Sequence, residues 1–127
     1  MRVVIADDSV LAREGIVSLL RSAGVEVVAQ TASAEELLAA VEDQRPDIAI
    51  VDIRMPPTYT KEGLQAALAI RERHPGIGIL ILSQHAETGV ATRLLAEHPA
   101  GLGYVLKDRV IDVADFAATL RAVAAGG

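Results

Sequence analysis

Four short apolar runs end directly on residues that can do chemistry. Val3 to Ala6 ends on Asp7-Asp8, Ile48 to Val51 on Asp52, Ile77 to Leu82 on Ser83, and Gly103 to Leu106 on Lys107. Carboxylates are nucleophiles that form acyl phosphates, and Asp needs no general base because it is ionised at pH 7. Three carboxylates gathered in one place each disfavour ionisation of the others. A hard divalent cation resolves that conflict, and Mg²⁺ takes a few carboxylates together with waters and a phosphate oxygen. A lysine adds a point charge for an anionic oxygen, and a serine hydroxyl can donate to another. An acidic cluster, a lysine and a hydroxyl around one metal are the parts of a phosphoryl-transfer site. Taken singly, each residue has a plainer reading: acids suit helix N-termini, Asp52 a turn, Ser83 a cap and Lys107 a solvated charge. What distinguishes this set is that every required type stands at the end of an apolar run.

That chemistry needs an architecture in which all the runs end on one edge. Val3 to Ala6 is continuous and β-branched and reads as a fully buried strand; Ile48 to Val51, Ile77 to Leu82 and Gly103 to Leu106 also read as strands, and Val25 to Ala29, interrupted by Glu26, as a weaker one. Helical patterns lie between them. Ser9 caps a helix with Ala12, Ile16, Leu19, Leu20 and Ala23 on its apolar face and Gly24 as its stop. Ser33-Ala34-Glu35-Glu36 is a capping box before Leu37, Leu38 and Val41. Thr60 caps a third helix carrying Leu64, Ala67, Leu68 and Arg71, a fourth spans Glu87 to Glu97, and Asp112 caps a fifth with Phe116, Leu120 and Val123. Gly101-Leu102-Gly103 reads as a turn into the last strand. Strands joined by helical crossovers run parallel, and the crossovers are right-handed. Five repeats are too few for an eight-fold barrel, so the fold class is α/β: a (βα)5 open, doubly wound parallel sheet. In the flavodoxin-like order 2-1-3-4-5 the ligand crevice lies between strands 1 and 3, at the carboxyl ends that carry Asp7, Asp8 and Asp52.

Composition narrows the function classes. The 127 residues suit one domain, and 51% hydrophobic content with 2% aromatic calls for a core of Ala, Val, Leu and Ile. With no Cys, disulfides, thiolate metal sites and cysteine nucleophiles are excluded. A net charge of −5 argues against a nucleic-acid surface on this domain. No apolar run approaches the roughly 18 residues of a membrane span, and the first residues break their apolar run too early for a signal peptide. The expectation is a soluble cytoplasmic domain.

Asp7-Asp8, Asp52-Ile53-Arg54-Met55-Pro56, Ser83 and Tyr104-Val105-Leu106-Lys107 together resemble the response-regulator receiver domain (CheY-like) of two-component signalling, over essentially the whole chain. The run Gly-Tyr-Val-Leu-Lys-Asp is similar to the NarL/LuxR type. The resemblance implies that Asp52 is phosphorylated by a histidine kinase or a small phosphodonor. It implies Mg²⁺ held by Asp8, Asp52 and the Arg54 carbonyl, with Asp7 acting mainly through water. Ser83 and Lys107 would contact the phosphoryl group, and Tyr104 would be the switch residue that turns inward as Ser83 moves. His85, two residues past Ser83, sits where receivers tune phosphoryl lifetime. It further implies a receiver domain over residues 1–127, with DNA contacted only through a helix-turn-helix domain outside this chain, and a homodimer on phosphorylation using the first or fifth helix. A free-standing receiver is the alternative. The chain departs from the family where Pro57-Thr58-Tyr59-Thr60-Lys61-Glu62 delays Gly63. Two other classes are weaker. A haloacid-dehalogenase-like phosphatase needs Asp-x-Asp and a cap domain, whereas Arg54 stands two past Asp52. A receiver that has lost phosphorylation is favoured only by the extended loop.

Overall fold

Runs of Val, Ile and Ala have no polar face to offer water, so each must be covered on both sides, and parallel strands between two helical layers meet that need. A computed structural model describes the backbone of residues 1–53, 62–83, 102–106 and 113–125, with all their side chains except those at 64, 83, 102, 104–106 and 113–115. The chain order is β1 (Arg2–Ala6), α1 (Val10–Ser22), β2 (Glu26–Thr31), α2 (Ala34–Gln44), β3 (Ile48–Asp52), α3 (Glu62–Arg73), β4 (Gly78–Ser83), β5 (Leu102–Leu106) and α4 (Val113–Ala124). All neighbouring strands pair in parallel in the order β2-β1-β3-β4-β5, the order expected from the sequence. Here α4 is the fifth helix of the sequence reading. The helix expected over 87–97, the loop residues 57–61 and the caps Thr60 and Asp112 lie outside the described residues.

Successive strand residues point to opposite faces, and here both faces are dry. Val4, Ala6, Ala49, Val51, Ile79 and Ile81 pack with Leu37 and Val41 of α2 and with Ala66, Ala67 and Ile70 of α3. Val3, Ile5, Ile48, Ile50, Leu80 and Leu82 pack with Ile16, Val17 and Leu20 of α1 and with Phe116, Leu120 and Val123 of α4. Fully burying one such side chain is worth about 1.5–3 kcal/mol, so this two-sided packing holds the strand ends in register. β2 is an edge strand and carries a bulge: Val3 pairs with Val27 but Val4 with Ala29.

The caps act largely as their residue types demand. The Ser9 side chain accepts from the Ala12 amide, and Gly24, with φ +81°, follows the helix end. The Ser33 hydroxyl accepts from the Glu36 amide at 3.2 Å, while Glu36 reaches past the cap to accept from the Ala32 amide at 2.9 Å. α2 ends on Arg45 in the left-handed region, φ +45°. Its guanidinium bonds Glu42, and Glu42 also accepts from His74 Nε2 at 2.9 Å, which ties α2 to the end of α3.

Two helix readings need correction. On α3 the buried positions are Gly63, Ala66, Ala67 and Ile70, whereas Leu68 is exposed and Arg71 half-buried. Both sets fit a period of 3.6; the helix is turned by one residue because Gly63 docks on the end of β3. On α1 the buried face is Ile16, Val17 and Leu20, with Leu19 and Ala23 only partly covered. β5 begins one residue earlier than expected, at Leu102, a residue expected in the turn, and Val123 of α4 packs over Gly103.

Candidate metal centre

β1 and β3 are adjacent and in register from Val3↔Ile48 to Ala6↔Val51, so the residues that follow, Asp7 and Asp52, emerge side by side. Asp7 is fully buried, Asp52 is 6% exposed and Asp8 is half-buried. One carboxylate oxygen from each lies within 4.8 Å of the others. Two oxygens on one Mg²⁺ stand at most about 4.2 Å apart, given a bond of about 2.1 Å. The trio therefore needs little closing, or one bridging water, to share an ion. The donors are all hard oxygens, and the residues fit a small divalent cation.

The backbone around the acids is fixed from several sides. The Asp7 amide donates to the Thr31 carbonyl at 3.0 Å, which extends the β1–β2 ladder, and the Thr31 hydroxyl donates to the Ile5 carbonyl at 2.9 Å. Asp7 Oδ1 accepts from the Ser9 amide at 3.0 Å, an Asx turn that leads the chain into α1. Arg13 donates from Nη1 to the Asp7 carbonyl at 2.7 Å. Beyond Asp52, the Ile53 amide donates to Leu82 O at 3.2 Å and the Gly63 amide donates to Ile53 O at 2.9 Å. Three like charges this close repel strongly, and the Arg13 guanidinium on the Asp7 carbonyl offsets part of that repulsion.

The acids read from the sequence as one site are thus together. Ser83 is the last residue of β4 and pairs with Leu106, so the β4 and β5 ends share the edge that carries the acids. Tyr104 lies on β5 opposite Ile81. The side chains of Ser83 and Tyr104, and Arg54, His85 and Lys107 entirely, lie outside the described residues. Two contributors went unremarked in the sequence. Arg13 occupies the face of α1 that also holds Ile16, Val17 and Leu20, and a charge on an apolar face is the signal that could have found it. Thr31, a buried hydroxyl at a strand end, gave no such signal.

The model of the response regulator receiver domain family matches residues 3–118. The chain belongs to that family. This receiver domain is 35% identical over 109 residues to the transcriptional regulatory protein NarL of Mycobacterium tuberculosis, an alignment that covers 85% of this chain and 48% of that protein. The solved signal receiver domain of NarL from the same organism matches with TM-score 0.78 at 32% identity, covering 94% of this chain and 95% of that one. A LuxR-family DNA-binding response regulator from Staphylococcus aureus matches with TM-score 0.81 at 26% identity, over 97% and 98% of the two chains. The resemblance to the NarL/LuxR type is borne out. The receiver domain spans about half the length of the curated relatives it matches. Among the described residues no helix is long and apolar enough to cross a membrane.

Proposed function

We propose that Asp52 is the phospho-acceptor of a signalling switch and that Asp7, Asp8 and Asp52, with the Arg54 carbonyl, hold Mg²⁺ beside it. The observation that carries this reading is the meeting of the three carboxylates at the crevice between β1 and β3. In the reaction an Asp52 oxygen attacks phosphorus in line. The new O–P bond forms as the bond from phosphorus to the donor breaks, and the electron pair leaves with the donor: the imidazole of a phosphohistidine on a histidine kinase, or acetate from acetyl phosphate. Bound Mg²⁺ supplies positive charge for the transferring phosphoryl oxygens. Asp52 is the nucleophile, Asp7 and Asp8 hold the cation, Lys107 pairs with a phosphoryl oxygen and Ser83 donates to another. Phosphorylation then biases a two-state equilibrium in which Ser83 moves toward the phosphate and Tyr104 turns inward.

The domain acts as the input half of a LuxR-type transcriptional regulator, dimerising on phosphorylation and reaching DNA through a helix-turn-helix domain. That the similar proteins NarL and DegU are transcriptional regulatory proteins supports this placement. Its chemistry is self-phosphorylation and self-dephosphorylation in the cytoplasm, with no substrate turned over. The test is intact mass after acetyl phosphate with and without Mg²⁺. One phosphoryl group per chain, dependent on Mg²⁺ and absent in Asp52→Asn, is expected. Rapid multiple turnover of phosphomonoesters without a stable adduct would overturn the switch in favour of a phosphatase.

A further inference from the structure

Eight residues, 54–61, separate Ile53 from the start of α3, yet Gly63 returns to the acceptor. Its amide donates to Ile53 O at 2.9 Å, one residue beyond Asp52. Gly63 is buried in the first turn of α3. A Cβ placed there would overlap the Asp52 carbonyl oxygen, and would stand 2.7 Å from the Asp52 carbonyl carbon and 2.9 Å from Ile53 O. Real Cβ atoms do not approach backbone this closely. Any side chain would force either the start of α3 or the end of β3 to move by more than an ångström. The Asp52 carbonyl that the added atom meets and the Ile53 amide that holds Leu82 O belong to one peptide unit, so yielding on the β3 side disturbs the peptide that carries Asp52, and yielding on the α3 side opens the Gly63–Ile53 hydrogen bond.

The geometry points to Gly63 as a positioning residue for the phospho-acceptor: it clamps the two ends of the segment between Ile53 and α3 together beside Asp52, so that the acid cluster is set by the clamp and is independent of the length of that segment. This rests on the reading of Asp7, Asp8 and Asp52 as a Mg²⁺ site. Misplacing a reacting group by about an ångström costs up to roughly a hundredfold in rate. A closed loop, by contrast, changes its closure cost only slowly with length. Removing a few residues inside the clamp is therefore tolerated where adding one methyl group to the clamp is not.

The experiment titrates the domain with Mg²⁺ while amide NMR shifts are followed, and times its labelling by acetyl phosphate. Failure of the unaltered domain to show saturable shifts at Asp7, Asp8 and Ile53 would overturn the metal-site reading, and this inference with it. Given binding, Gly63→Ala should weaken Mg²⁺ affinity and slow labelling at least tenfold. Leu120→Ala, on the opposite face of the sheet, should lower thermal stability yet leave Mg²⁺ affinity within twofold, which separates positioning from general destabilisation. Deletion of residues 58–60 should also leave affinity within twofold. Unchanged affinity in a folded Gly63→Ala, or a tenfold loss in the deletion, would overturn the inference. If Gly63→Ala does not fold, hydrogen exchange in the unaltered domain decides: saturating Mg²⁺ should slow exchange of the Gly63 amide several-fold and leave Leu120 unchanged, and an unaltered Gly63 rate would overturn it.

Discussion

Replacing Asp8 by Asn removes one of three like charges while keeping the shape of the side chain. An oxygen of Asp8 lies within 4.8 Å of one on Asp7 and one on Asp52. At that separation each like-charged pair costs roughly 0.9 kcal/mol in bulk water and roughly 3.5 kcal/mol at an effective dielectric constant of about 20. Asp8 is half-buried and so falls between these limits, and the Arg13 guanidinium offsets part of the repulsion. A net relief of about 1–2 kcal/mol follows. In a domain of this size it should raise Tm by about 4–8 °C in the presence of a chelator. Mg²⁺ should reverse or narrow the difference. The unaltered domain gains about 2.7 kcal/mol at a hundredfold excess over Kd, and the variant, one anionic ligand short, gains much less. Thermal unfolding followed by circular dichroism, with chelator and then with Mg²⁺, reads both effects. A variant that melts lower in chelator would refute the repulsion, and equal Mg²⁺ shifts in the two proteins would remove Asp8 from the metal site.

Other outcomes follow from the same structure. The hydrogen bond from His74, helped by the charges of Arg45 and Arg73, holds the Glu42 carboxyl below its ordinary value. A depressed folded pKa gives stability that is complete above the ordinary glutamate range and is lost as pH falls through the lowered value. Glu42→Gln should therefore lower Tm at neutral pH, and the difference should vanish on acidification; a difference that grows toward low pH would contradict this. Arg45 Nη1 lies 3.4 Å from His74 Nδ1 and can only donate, so the neutral His74 ring carries its proton on Nε2, toward Glu42. Ring ¹⁵N shifts should show that tautomer, and the opposite one would refute the bridge. Leu37 is fully buried between α2 and the sheet, so Leu37→Ala should cost about 2–5 kcal/mol in denaturant unfolding; a loss below the lower bound would mean that this face repacks.

Four strands were legible because each carries an apolar run that stops on a polar residue, a pattern that fixes both the type of element and the end that bears the chemistry; β2, which holds Glu26 and Gln30 and is largely half-buried, lacks it. Asp7, Asp8 and Asp52 could be brought together from the sequence because parallel strands put all their carboxyl ends on one edge and the flavodoxin-like order sets strand 1 beside strand 3. The rotation of α3 was not legible: Leu64, Ala67, Leu68 and Arg71 have the same period as Gly63, Ala66, Ala67 and Ile70, and only the close approach of Gly63 to the β3 backbone decides between them. Arg45 also gave no signal. Glycine is the usual residue in a left-handed helix end, and an arginine is held there by contacts with Glu42 and His74 that come from tertiary structure.

The most direct test of phosphoryl acceptance is to locate the modified atom. After treatment with acetyl phosphate and Mg²⁺, borohydride reduction converts an aspartyl phosphate to homoserine, and peptide mass spectrometry identifies the residue. Acceptance at Asp52 predicts homoserine there and nowhere else, with none formed when Mg²⁺ is chelated. Homoserine at Asp7 or Asp8, or a phosphoryl group that survives borohydride on a hydroxyl or histidine, would contradict it.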